Sequence, residues 1–277
     1  MVLTKAAPKI GTDTPNVKTE VPGFRVSAVI ITFNEERIIA NTLKQLYWCD
    51  EIIVVDSYSN DDTADICRQF GCKVFSRHFE GYGDQKRYAV SLAKNDWILC
   101  VDADEVLTDK LIHEILSINL ENTQYAGFSF PMNMFFLNKE FAFGHESRRH
   151  FLRMFNRKCG GFQENNVHES IKLNGPVKKL NGLVQHYSYY SLRQYLEKFN
   201  KYTSLSAEMA FKAGKKRSLP LALLALPYNF IKYYLLDRNF LNGFKGFVWS
   251  ILSTCYHFVK FVKLKELQRN CQSALNK

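Results

Sequence analysis

Between residues 26 and 125 the chain alternates short apolar runs with stretches of helical spacing, and this alternation leaves few folds open. The segments "VSAVIITF", "EIIVVDS", "CKVFSR" and "WILCVDADE" read as strands. Between them lie "NEERIIANTLKQLYW", with Ile38, Ile39, Leu43, Leu46 and Tyr47 at helical spacing, then "NDDTADICRQF" and "GDQKRYAVSLAKN". A continuous apolar run such as 98–101 suits a strand buried on both faces. Repeated β-α units predict an α/β fold with a mainly parallel sheet and helices on both faces. Ligands of such sheets bind outside the carboxyl ends of the strands.

The polar residues fall at those ends. The first strand finishes at Thr32, Asn34 and Glu35, the second at Asp56 and Ser57, and the fourth at Asp102, Asp104 and Glu105. Helix capping explains Asp61 and Asp62, but it does not require three strands to deliver acids to one edge. Crowded carboxylates repel unless a cation neutralises them. Hard oxygen donors suit Mg²⁺ or Mn²⁺, ions that commonly also hold substrate phosphates. The cluster therefore predicts a metal bridging to a diphosphate.

The seven cysteines show no C-x-x-C pairing. Several sit in apolar runs, which predicts reduced core thiols in a cytosolic setting. Residues 1–22 lack an apolar h-region and read as a disordered tail rather than a signal peptide. Residues 1–190 carry 22 Lys/Arg against 23 Asp/Glu, whereas 191–277 carry 15 against 4. A basic C-terminal third on a near-neutral body calls for an anionic partner.

The stretches "SAVIITFNEE", "EIIVVDSYSNDDT", "GDQKRYAVSLAKNDWIL" and "CVDADE" resemble the successive motifs of family 2 glycosyltransferases, which have the GT-A fold. The resemblance covers about residues 26–190. Within that family the chain is most similar to bacterial lipopolysaccharide core glycosyltransferases of the heptose β-1,4-glucosyltransferase type, with "NNVHESI", "LVQHYSYYS" and "YLEKFNKYTSLSA" contributing. The resemblance implies that Thr32, Asn34, Glu35 and Asp56 hold the uracil and ribose of a UDP-sugar donor. It places Gln85 and Lys86 near the base and diphosphate, Asp102 on the ribose side, and Asp104 on the divalent cation. Arg87 departs from the pattern, in which an asparagine often follows the basic residue, so no direct role is expected of it.

Inverting transfer needs a group to take the acceptor hydroxyl's proton. Glu169 in "NNVHES" is the candidate, helped by the resemblance rather than by spacing, with Glu164 as its rival. His186 stands either as a further metal ligand or as a structural histidine. The glycines of "GYGDQK" read as permitting a loop turn rather than as a nucleotide fingerprint. Phe135, Phe136, Phe141 and Phe143 read as core or as lining of an acceptor loop, and the sequence does not separate the two.

Residues 219–236 are nearly all apolar, but two prolines and a lysine make them a poor spanning helix. The following "FLNGFKGFVWSILSTCYHFVKFVKLK" mixes aromatics with lysines, as in helices that lie among lipid headgroups. Its apolar density and the lack of a recognised module argue against nucleic acid. The expected organisation is a tail (1–22), a GT-A domain (23–190) and a basic, apolar helical extension that associates with the membrane (191–277). The expected activity is inverting transfer of a hexose, glucose favoured, to a membrane-bound lipopolysaccharide core or related glycolipid. The enzyme is expected to be peripheral, on an anionic membrane surface at the cytoplasmic face of the bacterial inner membrane. A transferase acting on polyprenyl phosphate or a lipid-linked oligosaccharide is the near alternative; an inactive nucleotide-sugar-binding scaffold is the distant one.

Overall fold

The computed structural model describes residues 24–163 and 170–275. The described residues divide into two compact units: one takes those up to Asp104 with 115–128, 152–163 and 170–178, the other 105–114, 129–151 and 179–275.

In the first unit the expected β-α alternation is present. The elements run β1 (Val26–Thr32), α1 (Ile39–Lys44), β2 (Glu51–Asp56), α2 (Thr63–Gln69), β3 (Lys73–Ser76), α3 (Tyr82–Ser91) and β4 (Trp97–Asp102). The four strands are parallel in the order β3-β2-β1-β4. The core between sheet and α3 gathers Val29, Ile53, Val55, Ala89, Ala93, Ile98, Cys100 and Phe155. The opposite face of these strands is apolar and buried as well, at Ala28, Ile30, Val54, Leu99 and Val101, as burial of both faces demands. Helix α1 is shorter than its pattern: Ile38 N bonds to Glu35 O and Leu46 N to Leu43 O, so the flanks close as tight turns rather than α-helix.

The amino-terminal edge of this sheet carries a closed polar network. Ser27 Oγ donates to Glu51 Oε1 at 2.6 Å, the Lys94 amide to the same oxygen at 2.7 Å, and Lys73 Nζ to Oε2 at 2.7 Å. Asn95 Nδ2 donates to Ser27 Oγ and to Asp50 Oδ2, which also pairs with Lys94 Nζ at 2.9 Å. Burial pushes the Glu51 pKa up, but the bonds from Lys73, Ser27 and the Lys94 amide outweigh it and hold the carboxyl below its ordinary value.

After β4 come β5 (Glu105–Leu107), α4 (Asp109–Leu116), β6 (Gly127–Phe136), β7 (Lys139–Glu140), β8 (Ser147–Asn156), β9 (Gly160–Phe162), β10 (Ile171–Leu173), β11 (Val177–Lys179) and β12 (Val184–Tyr189). Within the first unit, β8 pairs antiparallel with β4 at residues 154–156, and β9 with β10. Within the second, β12 runs parallel to β6 and antiparallel to β5.

The second unit ends in helices α5 (Leu192–Lys212), α6 (Leu219–Ile231) and α7 (Phe244–Leu275). Ser191 caps α5 by accepting from the Gln194 amide. Pro220 sits in the first turn of α6, where an amide has no partner to lose, so only Pro227 interrupts the ladder. Helix α6 runs on through a π-turn at Lys232–Leu236, closed by Asp237 N to Lys232 O. The helical run Leu219–Leu236 therefore spans 18 residues at mean hydropathy 1.3, with 6% of it buried. Its length and composition suffice to cross a bilayer, which the prolines led us not to expect. Leu221, Leu224, Tyr228, Ile231 and Leu235 form an exposed stripe on it at helical spacing.

All seven cysteines are free thiols. Cys49, Cys67, Cys72 and Cys100 are buried, and burial pushes the Cys67 thiol up to about 12.

Candidate active site

The carboxyl edge of the parallel sheet is built in register. Thr32 lies opposite Asp56, and Ile31 opposite Asp102, so β1, β2 and β4 deliver their last residues to one layer. The loops beyond them are tied together. Asp56 accepts from Ser59 N at 2.9 Å and Ser59 Oγ at 2.5 Å. Asn34 adopts a left-handed conformation (φ 56°), accepts from Asn60 N at 2.8 Å, and donates its own amide to Ser59 Oγ. Asparagine tolerates that conformation better than branched residues do. The Glu35 amide donates to Thr63 Oγ1 at 2.8 Å.

The expected capping roles of Asp61 and Asp62 diverge. Asp61 accepts from Thr63 N, Thr63 Oγ1 and the Glu36 amide. Burial raises its pKa, yet those bonds prevail and the net shift is downward. Asp62 occupies the position before α2 but makes no side-chain cap bond.

Helix α3 carries Gln85 and Lys86 into the interior beneath this edge, with Lys86 only 1% exposed. Its Nζ pairs with Asp102 Oδ1 at 2.7 Å, and Arg153 pairs with Asp102 Oδ2 at 3.0 Å. A buried cation needs such a partner, because desolvation otherwise outweighs its attraction to distant charge. Arg153 was not foreseen: it arrives on β8, 51 positions from Asp102, and sequence spacing does not signal so distant a contact. Gln85 Nε2 donates to Ser57 Oγ and Arg77 O, both at 3.1 Å. Its Oε1 is buried without a hydrogen-bond partner, as is Thr32 Oγ1. Both oxygens are buried at one edge and lack an internal donor, which a ligand settling there could supply.

Asp104 lies half-buried in the turn just beyond β4. Glu105 is buried on β5, with His186 of β12 opposite it in register. Among the described residues no group of three or more His, Cys, Asp or Glu side chains gathers to hold a metal. Glu169 and Glu164 lie outside the described residues. Arg87 donates to Gln163 O at 2.8 Å and to Asp84 Oδ1 at 3.0 Å, so its bonds are to the protein itself. Gly81 precedes α3 at φ 141°, the turn expected of that glycine-containing loop. The four phenylalanines separate. Phe136 and Phe141 are core, Phe135 stacks on Tyr187 at 4.4 Å, and Phe143 is exposed.

Residues 27–169 match the family described as Glycosyl transferase family 2. An uncharacterized glycosyltransferase of Rickettsia typhi is 34% identical over 269 residues, covering 91% of this chain and 90% of that protein. The lipopolysaccharide core biosynthesis glycosyltransferase LpsC of Rhizobium meliloti is 26% identical over 252 residues, covering 88% and 93%. A solved glucosyl-3-phosphoglycerate synthase of Mycobacterium tuberculosis, in complex with Mg²⁺ and UDP, is 21% identical over 40% of this chain and 44% of that one, with a TM-score of 0.33.

Proposed function

The chain belongs to glycosyltransferase family 2, and we propose that it transfers a hexose, glucose by preference, from a UDP-sugar to a membrane-bound lipopolysaccharide core or related glycolipid with inversion. Its GT-A architecture, a mainly parallel sheet with a helical C-terminal part, is that of a nucleotide-sugar enzyme. One observation carries the donor reading. The ends of β1, β2 and β4 share a layer that includes Thr32, and Thr32 Oγ1 and Gln85 Oε1 of α3 are buried oxygens lacking donors. A nucleotide supplies such donors through its base and ribose. Asn34, Glu35 and Asp56 shape the loops around it, and Asp102 faces the ribose. Lys86 and Arg153 both pair with Asp102, which brings two cationic side chains to the edge where a diphosphate would lie.

Asp104 fits a divalent cation. It is a hard oxygen donor in a turn at the strand end, and Mg²⁺ commonly takes one or two carboxylates plus substrate phosphates. When bound, Mg²⁺ or Mn²⁺ neutralises the leaving diphosphate as a Lewis acid. Glu169 takes the acceptor proton.

Nucleotide release over a panel of UDP- and GDP-sugars, with Mn²⁺, Mg²⁺ or chelator, tests this reading. We expect UDP-sugar turnover that chelation abolishes; turnover of GDP-sugars alone, or turnover unaffected by chelation, overturns it. In the same assay Glu169→Gln should keep donor binding and lose about 10²–10⁴-fold in rate. If Glu164→Gln shows that loss and Glu169→Gln does not, the base is Glu164.

The LpsC relative and the exposed stripe on α6 support a lipid-embedded acceptor. Lys215, Lys216 and Arg217 precede that stripe and Lys232 lies within it. Each such cation near an anionic surface contributes about 1 kcal/mol, weakened by salt. We place the enzyme peripherally on the cytoplasmic face of the inner membrane, with α6 in the headgroup region. High salt should then release part of it from membranes and alkaline carbonate with salt most of it. Resistance to both washes would mean that 219–236 spans the bilayer.

A further inference from the structure

The second unit holds a cavity of about 280 Å³ walled by β12 and the C-terminal helices, and the donor site makes no use of it. That volume lies just under the range of roughly 300–1,000 Å³ typical of small-molecule clefts, so it suits one ring rather than a chain. Its wall is largely aromatic: Tyr189, Tyr195, Phe199, Tyr202, Trp249 and Tyr256. These rings brace one another edge to face, Trp249 against Tyr195 at 5.8 Å and Tyr256 against Phe199 at 5.8 Å, so the cavity is formed in advance of any ligand.

The polar groups are few and set against that wall. Asp237 lines the cavity, and its Oδ2 is buried with no hydrogen-bond partner. A carboxylate oxygen in that state carries an uncompensated desolvation cost unless a ligand donates to it. Tyr233 Oη shares a 2.7 Å hydrogen bond with His257 Nε2, and both residues also line the cavity. Burial, then Asp237 and Glu146, push the Tyr233 phenol up, so it keeps its proton. Burial, then Lys260, Arg217 and Lys232, push the His257 pKa down, so the imidazole is neutral at pH 7.

Aromatic faces with a carboxylate could hold either an ammonium group or a sugar. The hydrogen-bonding groups decide between them, because charges of both signs act on the cavity. Tyr233 Oη and His257 Nε2 form a pair that can both donate and accept, which suits hydroxyls, whereas an ammonium group only donates and a quaternary one does neither. A pyranose is neutral; its C–H face rests on the negative face of an aromatic ring, and its hydroxyls donate to Asp237 and exchange hydrogen bonds with His257 and Tyr233. We propose that this cavity is a monosaccharide-binding subsite that seats one pyranose of the acceptor's saccharide. The proposal rests on the glycosyltransferase reading for the identity of the ligand, and on the cavity for its place.

The test uses the full chain without nucleotide. Saturation-transfer NMR with the methyl glycosides of glucose, galactose, mannose and heptose, and with tetramethylammonium, reads the cavity directly. UDP titration by calorimetry reads the donor site separately. We expect at least one glycoside to bind, and Asp237→Asn, nearly isosteric, to weaken it roughly ten-fold while UDP affinity holds. Trp249→Phe, which shrinks the aromatic wall but keeps a ring, should weaken the same glycoside without altering UDP binding. Failure of every glycoside to bind, whether or not tetramethylammonium binds, overturns the proposal, as does glycoside binding that neither variant changes. Loss of UDP binding in the unsubstituted chain overturns the donor reading instead, whatever the glycosides do.

Discussion

The two edges of the parallel sheet in the first unit are both polar and both partly buried, yet they are finished differently. At the amino edge Ser27, Asp50, Glu51, Lys73, Lys94 and Asn95 bond among themselves, and both Glu51 oxygens are occupied. At the carboxyl edge Asp102 is held by Lys86 and Arg153, but Thr32 Oγ1 and Gln85 Oε1 are left without donors. Polar groups that serve the fold are completed by the fold. The carboxyl edge is finished only in part: Asp56 is bonded through both oxygens to Ser59, which sets its loop, while Thr32 and Gln85 keep oxygens for a ligand to complete.

Substitutions at the two edges should therefore part stability from activity. The largest effect is expected at the carboxyl edge. Asp104→Ala should lower transfer about 10³-fold or more while the melting temperature shifts by about 1 °C, since a half-buried turn carboxylate contributes little to the core. Paired activity and calorimetric scans check this, and full activity in the variant would remove the metal role of Asp104.

Next comes the amino edge. Glu51→Ala strands the Ser27 hydroxyl and the Lys94 amide, and should cost about 3 kcal/mol of stability with kcat within about two-fold. The pH dependence has a definite sign. The folded pKa of Glu51 lies below its ordinary 4.5, so its contribution is present above pH 4.5 and is lost as pH falls toward the folded value. Denaturant midpoints measured from pH 7 down to 3 should fall less steeply in Glu51→Gln than in the parent.

The smallest effect is the sharpest contrast. Ser27→Ala removes a hydroxyl bonded at both sides and should destabilise by about 1 kcal/mol. Thr32→Val removes a buried hydroxyl with no partner. It should be neutral or slightly stabilising, yet raise the donor KM several-fold, because replacing an unsatisfied polar group by an isosteric apolar one is nearly free. If Thr32→Val destabilised as much as Ser27→Ala, the two edges would not differ in kind.

Much of this edge was legible in the sequence, because strand periodicity and the switch-point rule act through local pattern. The apolar run 98–101 gave away β4, and the acids after three successive strands converged without reference to distant contacts. Other features escaped for a shared reason. Arg153 meets Asp102 only through the antiparallel pairing of β8 on β4, a contact across 51 positions. The shortness of α1 depends on turn bonds at both flanks rather than on its apolar spacing. The continuity of 219–236 through Pro227 depends on the π-turn that follows. The aromatic cavity assembles residues from 145 to 257, and no window of sequence contains it.

Under the proposed donor reading, the carboxyl edge binds the nucleotide and the amino edge only holds the sheet. Calorimetric titration of UDP with Mg²⁺ into the parent, Asp56→Asn and Glu51→Gln, with the melting temperature of each, tests it most directly. Asp56→Asn should weaken UDP at least about ten-fold, while Glu51→Gln should leave the Kd within about two-fold and lower the melting temperature. Unchanged UDP affinity in Asp56→Asn together with lost affinity in a folded Glu51→Gln would contradict it.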